Sequence, residues 1–216
     1  MKPLTEEVIF SRFKKIHDEI INKKTNLVVV TKGRSFSNFE EIINSGHVHY
    51  GENKVQEAKC KWIPLKLKYF KIKLHLIGSL QSNKAKDAVQ LFDYIHSVDS
   101  IKLANELKKF EVQLNLKRKY FIQVNIGNEG QKSGVSLDNL DNLFNFCKSS
   151  NQLNIIGLMC IPPANLDPSS FFKRLNELNS HYQLTDLSMG MSNDYPIALA
   201  HGSTFIRVGS AIFNTV

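Results

Sequence analysis

The sequence predicts an α/β fold, a single (β/α)8 barrel of the TIM-barrel kind, and three observations predict it. Eight strand-like runs occur, each separated from the next by a helix-like segment or by a loop long enough to hold one. Strict alternation of that sort implies a parallel sheet, and eight strands close a barrel where an open doubly wound sheet reaches its end in fewer. At 216 residues the chain just meets the lower size limit of such a barrel, and no Ser/Gly-rich linker, repeat or low-complexity segment divides residues 1–216.

Residues 5–24 carry Ile9, Phe13, Ile16 and Ile20 at helical spacing with lysines and glutamates between them, so the chain opens with an amphipathic helix. Leu27 to Lys32 follows, a short β-branched run bounded by Gly33, which reads as a buried strand. Alternation places Val28, Val30 and Lys32 on one face and Leu27, Val29 and Thr31 on the other. Ser37-Asn38-Phe39-Glu40 has the spacing of a capping box and starts a helix through Ile43 that Gly46 ends. Further strands are expected at 47–51, 74–78, 94–98, 120–125, 155–161, 186–190 and 205–209, with helices around 53–62, 82–91, 100–110, 137–148, 168–182 and 193–201. Nothing after Phe213 forms a closing helix; the amino-terminal helix either takes its place or caps the bottom of the barrel.

A hydrophobic fraction of 42% supports a proper core, and no stretch approaches the roughly 18 apolar residues of a membrane span. Met1-Lys2-Pro3-Leu4-Thr5-Glu6-Glu7 lacks the apolar run of a signal peptide, so a cytoplasmic protein is expected. Cys60, Cys147 and Cys160 are odd in number and far apart, which indicates neither a disulfide framework nor a zinc knuckle. The net charge of +8 is spread along the chain without a glycine-rich RNA motif, so no specific nucleic-acid role is expected.

In a barrel of this class the functional face lies at the carboxyl ends of the strands. Polar residues collect there: Lys32, Gly51-Glu52-Asn53, the 78–83 segment, Asn125, Ser188 to Asn193, and Arg207-Val208-Gly209-Ser210. An ammonium at the end of an interior strand suits a phosphate counter-charge or an amine that burial activates to form a Schiff base with an aldehyde; the plainer alternative is a lysine reaching into water. Loops after strands seven and eight are the usual phosphate site of the architecture, and Ser192 also fits an ordinary helix N-cap. If Ile206 and Val208 meet the helices, Arg207 points into the barrel, where a permanent cation needs a partner; an internal salt bridge is the simplest one.

The chain resembles, from the first strand to the last, the pyridoxal phosphate homeostasis proteins, single-domain relatives of the amino-terminal barrel of alanine racemase. The resemblance rests on Val30-Thr31-Lys32, Gly51-Glu52-Asn53-Lys54-Val55-Gln56-Glu57, His75-Leu76-Ile77-Gly78-Ser79-Leu80-Gln81-Ser82-Asn83-Lys84 and His96-Ser97-Val98-Asp99. It continues through Gln123-Val124-Asn125-Ile126, Lys132-Ser133-Gly134, Gly157-Leu158-Met159, Ser188-Met189-Gly190-Met191-Ser192, Gly202-Ser203-Thr204 and the 207–213 segment. It implies that Lys32 carries pyridoxal 5′-phosphate as a Schiff base, that Arg207 faces the pyridine nitrogen, that Ser192, Gly209 and Ser210 hold the phosphate, and that Asn53 lies near the ring. Tyr50 stands where the family commonly has phenylalanine, Ser79 where it often has proline and Ser210 where threonine is frequent. Gly33-Arg34-Ser35 replaces a proline often found shortly after the lysine.

The leading expectation is therefore a monomeric carrier or regulator in pyridoxal phosphate homeostasis, without significant amino-acid turnover and with no catalytic or metal-ligating residues. Its partners would be the vitamin B6 cofactor itself and the apo-enzymes that need it, with no nucleic acid or membrane. A racemase is the alternative enzyme class, but racemases add a β-domain after strand eight and here the sequence ends at Val216. A metal-dependent hydrolase would use His47-Val48-His49, whose two imidazoles share a strand face, yet no further His/Asp set completes a site. His75 and His96 are expected as hydrogen-bonded core histidines.

Overall fold

Eight short apolar runs do close a barrel. The computed structural model describes residues 4–150 and 152–214; residues 1–3, 151 and 215–216 of the expected 1–216 domain lie outside the described residues. In chain order the elements are α1 (Glu6–Ile20), β1 (Asn26–Val30), α2 (Glu40–Asn44), β2 (His49–Glu52), α3 (Val55–Lys68), β3 (Lys73–Leu76), α4 (Ala85–Leu91), β4 (Tyr94–Val98) and α5 (Ile101–Leu114). They continue with β5 (Lys119–Gln123), α6 (Leu137–Asn145), β6 (Ile155–Met159), α7 (Ser169–His181), β7 (Asp186–Ser188), α8 (Tyr195–Ala200), β8 (Phe205–Val208) and α9 (Ser210–Phe213). The strands pair in sequence order, all parallel, and β8 returns to β1 to close the ring.

Strand alternation sorts the side chains as the pleat requires. Leu27 and Val29 pack outward against the helices, whereas Val28 joins Tyr94, Phe121, Met159 and Phe205 inside the barrel. Arg207 is in register with Val28 and is buried in that interior. The amino-terminal helix α1 buries Ile9, Phe13, Ile16 and Ile20 and packs on β1, α2 and α9. Arg12 of α1 donates to the Asn214 carbonyl at 2.6 Å, and Tyr195 donates to Glu19 at 2.7 Å. The helix thus stands in the outer ring beside the one-turn α9, in the place of a full eighth helix.

Three local expectations are corrected. Ser37 does not cap a helix: 36–38 form a 3-10 turn, α2 starts at Glu40, and the Ser37 hydroxyl pairs with Ser35 instead. The helix expected at 53–62 runs on to Lys68 through Pro64, because a proline forfeits only its own N–H bond while Leu65 continues to pack on the core. Ser192 is not an N-cap; α8 begins at Tyr195 after Asp194. Among the described residues no helix is long and apolar enough to cross a membrane.

Candidate functional site

The loops at the carboxyl ends of β1, β2, β6, β7 and β8 surround a cleft of about 750 Å³, which Ile77 and Lys132 reach from the loops after β3 and β5. Lys32, Asn53, Ser192, Arg207, Gly209 and Ser210 all line it. The six residues come from four separate parts of the chain, and the closed ring of strands is what brings them together.

Lys32 does not continue β1, which ends at Val30. It sits in a turn closed by the Arg34 N–H on the Thr31 carbonyl (3.1 Å), with Gly33 at φ +65°, a conformation that favours glycine. The amine is therefore on an exposed side chain at the cleft, as in the plainer reading of a lysine reaching into water, and not on a desolvated one. What fixes the turn lies beneath it. Thr31 Oγ1 (2.7 Å), Lys61 Nζ (2.8 Å) and Trp62 Nε1 (2.9 Å) all donate to Oε1 of the fully buried Glu52. Lys61 also donates to the Thr31 carbonyl at 2.6 Å, and the Gly33 N–H donates to Glu57 at 2.5 Å. Arg34, in the Gly33-Arg34-Ser35 segment that lacks the family's frequent proline, hydrogen-bonds Asn214 and lies over the Phe213 ring.

Arg207 makes no internal salt bridge. Its NH1 donates to Ser188 Oγ (2.6 Å) and its NH2 to the Cys160 carbonyl (2.9 Å), and among the described residues no carboxylate forms an ion pair with it. Burial pulls its pKa below the usual arginine value, while nearby Asp194 offsets part of that effect. Asp194 itself accepts from the Met191 N–H at 2.5 Å. A buried guanidinium with N–H groups to spare at a cleft can take a further acceptor there.

Around the other end of the cleft, Ser192 Oγ accepts from the Ala211 N–H at 3.0 Å and ties the loop after β7 to the start of α9. Among the described residues, no turn, loop or cap hydrogen bond engages the N–H groups of Ser192, Gly209 and Ser210. Free N–H groups at a loop-to-helix junction are what an anionic phosphate needs. The chain's own donors thus suit a ligand with an aldehyde, a ring acceptor and a phosphate.

Asn53 is placed by a close approach. A Cβ on Gly78 would lie 2.3 Å from the Asn53 carbonyl oxygen, so the loop after β3 nests on Asn53 only because residue 78 lacks a side chain. Gly78→Ala is accordingly expected to displace Asn53 and to weaken ligand retention by about tenfold or more, with a loss of stability of about 1–3 kcal/mol from overpacking. Equilibrium dialysis with pyridoxal phosphate beside a denaturant titration would show both; an unchanged dissociation constant would remove Asn53 from the site.

Several cleft residues escaped the reading of the sequence. Lys132 lines the cleft with its ammonium 2.6 Å from Glu129 and donating to the Pro162 carbonyl at 3.1 Å. Its only signal was the Lys132-Ser133-Gly134 motif. Ser133 and Ser79 meet at 2.8 Å and join the loops after β3 and β5. Ser188, which the sequence marked only as part of the 188–193 polar segment, lies behind the cleft wall as the acceptor for Arg207. The imidazoles of His47 and His49 part company: His47 packs edge-on to Phe13, and His49 turns into the barrel towards His75.

The chain matches the family described as alanine racemase, N-terminal domain, over residues 7–215. It is 36% identical over 210 residues to a pyridoxal phosphate homeostasis protein of Synechocystis, covering 92% of this chain and 96% of that one. A protein of the same description from Aquifex aeolicus is 37% identical over 182 residues, 80% of this chain and 79% of that one. Among solved structures, PipY of Synechococcus elongatus with PLP bound superposes with a TM-score of 0.87 at 33% identity, over 95% of this chain and 100% of that one. Alanine racemase from Corynebacterium glutamicum shares the fold at a TM-score of 0.71 and 15% identity, over 63% of its own length.

Proposed function

From the premise that the chain belongs to the alanine racemase N-terminal-domain family and, within it, to the pyridoxal phosphate homeostasis proteins, we propose that it holds pyridoxal 5′-phosphate in the cleft and passes it on without amino-acid turnover. One observation carries the reading: an exposed amine, an unpaired buried guanidinium and a set of free N–H groups face one cavity. Lys32 binds the aldehyde as a Schiff base. Arg207 faces the pyridine nitrogen and Asn53 the ring, while Ser192, Gly209 and Ser210 hold the phosphate.

The bound cofactor supplies a reactive aldehyde and, where its nitrogen is protonated, an electron sink. Arg207 works against that sink. A fixed cation beside a pyridine nitrogen disfavours its protonation by like-charge repulsion. Racemisation further needs acid–base groups on both faces of a bound amino acid. Lys32 serves one face, and the cleft offers no tyrosine, histidine or cysteine among its described residues for the other. Lys132 is held by Glu129 and Pro162. Cys160 is buried, and its thiol is pushed up to about 12. The protein is thus read as a monomeric cytoplasmic carrier whose recipients are apo-enzymes.

The test is reductive trapping. Borohydride treatment of the loaded protein, followed by peptide mass spectrometry, is expected to find the pyridoxyl group on Lys32, and Lys32→Ala is expected to lose the visible absorption band. An adduct mainly on another lysine, or racemisation of alanine or serine at about 1 s⁻¹ or faster, an ordinary enzyme rate, would overturn the carrier reading.

A further inference from the structure

Three imidazoles stand in series inside the barrel. His49 Nδ1 is 2.9 Å from His75 Nε2, and His75 Nδ1 is 2.9 Å from His96 Nε2. His96 Nδ1 is 2.8 Å from Ser188 Oγ, which is 2.6 Å from Arg207 NH1. The rings are locked by packing: His75 stacks on Tyr94 at 4.2 Å and His96 on Phe121 at 4.3 Å. Ser188 and His96 are fully buried and do not line the cleft.

Only one end of this series has a fixed hydrogen-bonding sense, because a guanidinium donates and never accepts. Ser188 therefore accepts from Arg207. Its single hydroxyl proton then has His96 Nδ1 as its only acceptor among the described residues. His96 must carry its proton on Nε2 and donate to His75 Nδ1. By the same step His75 donates from Nε2 to His49 Nδ1, and His49 keeps its own proton on Nε2. The reverse sense would make Ser188 accept twice and strand its hydroxyl proton in a dry interior, which is costly. Neutral rings are what the surroundings favour: burial lowers His75 and His96 well below the ordinary imidazole value, Arg207 lowers His96 further, and burial lowers His49 to about 4.

We propose that Ser188, His96, His75 and His49 are positioning residues for Arg207, forming a one-directional hydrogen-bond relay that aims the guanidinium and links its bonding to the opposite mouth of the barrel. His49 opens β2 at the amino-terminal mouth and is only half-buried, so the relay spans the barrel from that mouth to the cleft. An acceptor that engages Arg207 from the cleft draws on the same guanidinium that Ser188 holds. The change reaches His96 through one hydroxyl.

The first arm of the test needs no cofactor. Nitrogen-15 spectra of histidine-labelled protein at neutral pH are expected to show His49, His75 and His96 all as Nε2–H tautomers; any of the three as the Nδ1–H tautomer overturns the relay. The second arm rests on the cofactor reading above. Pyridoxal phosphate is added, loading is followed by the visible band, and the His96 Nδ1 resonance is expected to shift in the wild type and in Ser188→Thr. Ser188→Ala is expected to abolish that shift and to release the cofactor about tenfold faster or more, as the loss of a hydrogen bond to a charged group implies. Release within about twofold of wild type, roughly the effect of losing nothing more than a weak contact, or a His96 response that persists in Ser188→Ala, overturns the proposal. A wild type without any visible band would instead defeat the cofactor reading, while the tautomers of the cofactor-free protein still decide the relay.

Discussion

Acid is expected to unfold this protein well above the pH at which its carboxylates titrate. His75 and His96 are fully buried, and burial holds both well below the ordinary imidazole value; His47 and His49 are lowered to about 4, again chiefly by burial. In the unfolded chain each ring titrates near its ordinary value of about 6.5. Because the folded pKa values are depressed, the unfolded state binds more protons, and stability is lost as pH falls below about 6.5. Each neutral ring contributes a slope of about 1.4 kcal/mol per pH unit there, so His75 and His96 alone remove about 4 kcal/mol by pH 5. That is a large part of the usual 5–15 kcal/mol of a folded domain, taken as an order of magnitude of about ten. Denaturant titrations at pH 7.5, 6 and 5 would measure it. A midpoint that stays flat over that range would mean that the rings titrate in the fold as they do in the unfolded chain.

That a set of histidines would be buried was legible, since His75 and His96 fall inside strand-like runs; that they would touch was not. The hydrogen bonds of the series join residues 26, 21, 92 and 19 positions apart; parallel pairing of adjacent strands makes three of them neighbours, and barrel closure brings His96 of β4 to Ser188 of β7. The same physics separates the rest of what could be read. The β4 run appears with the expected bounds, every residue of it buried, His96 and Ser97 included. β3, β5, β6, β7 and β8 stop short of their expected carboxyl ends, where residues such as Ile77, Asn125, Gly190 and Gly209 leave the sheet for the cleft loops. The apolar pattern continues past the ends of the strands, where the Ile77 and Asn125 N–H groups still donate to the Glu52 and Val135 carbonyls and the Gly190 carbonyl accepts from Arg207.

Lys32 and Arg207 show how motif and environment differ as guides. Each was placed at the cleft from its strand position and the resemblance, and the structure sets both there. Their surroundings were open to more than one reading. Lys32 is exposed because β1 ends before it, and among the described residues Arg207 has no carboxylate partner because its neighbours are a hydroxyl and a carbonyl. A sequence shows which side chains alternate on a strand, but counter-charges come from other strands.

Glu52→Gln is expected to destabilise the chain by about 3–5 kcal/mol, the usual consequence of removing one member of a buried ion pair. Glu52 is completely buried, the Lys61 side chain is only 12% exposed, and the two lie 2.8 Å apart. The amide keeps an oxygen for Thr31, Lys61 and Trp62 but strips Lys61 of its buried counter-charge. It also puts an NH₂ where Oε2 now has no hydrogen-bond partner, and a buried donor without an acceptor is costly in its own right. Lys61→Met added to Glu52→Gln removes an ammonium left with only the partly exposed Glu57 carboxylate, 3.3 Å away, as counter-charge and should recover part of the loss, so the double mutant is expected to be more stable than the sum of the single changes. The functional consequence follows from the same bonds. Thr31, whose hydroxyl and carbonyl bind Glu52 and Lys61, precedes Lys32, and Gly33 is tied to Glu57 on the same helix as Lys61. With that clamp loosened, Lys32 should be trapped by pyridoxal phosphate and borohydride more slowly at equal occupancy of folded protein. Equal trapping rates in a variant shown to be destabilised would mean that the Glu52 cluster supports the barrel alone and leaves the Lys32 turn untouched.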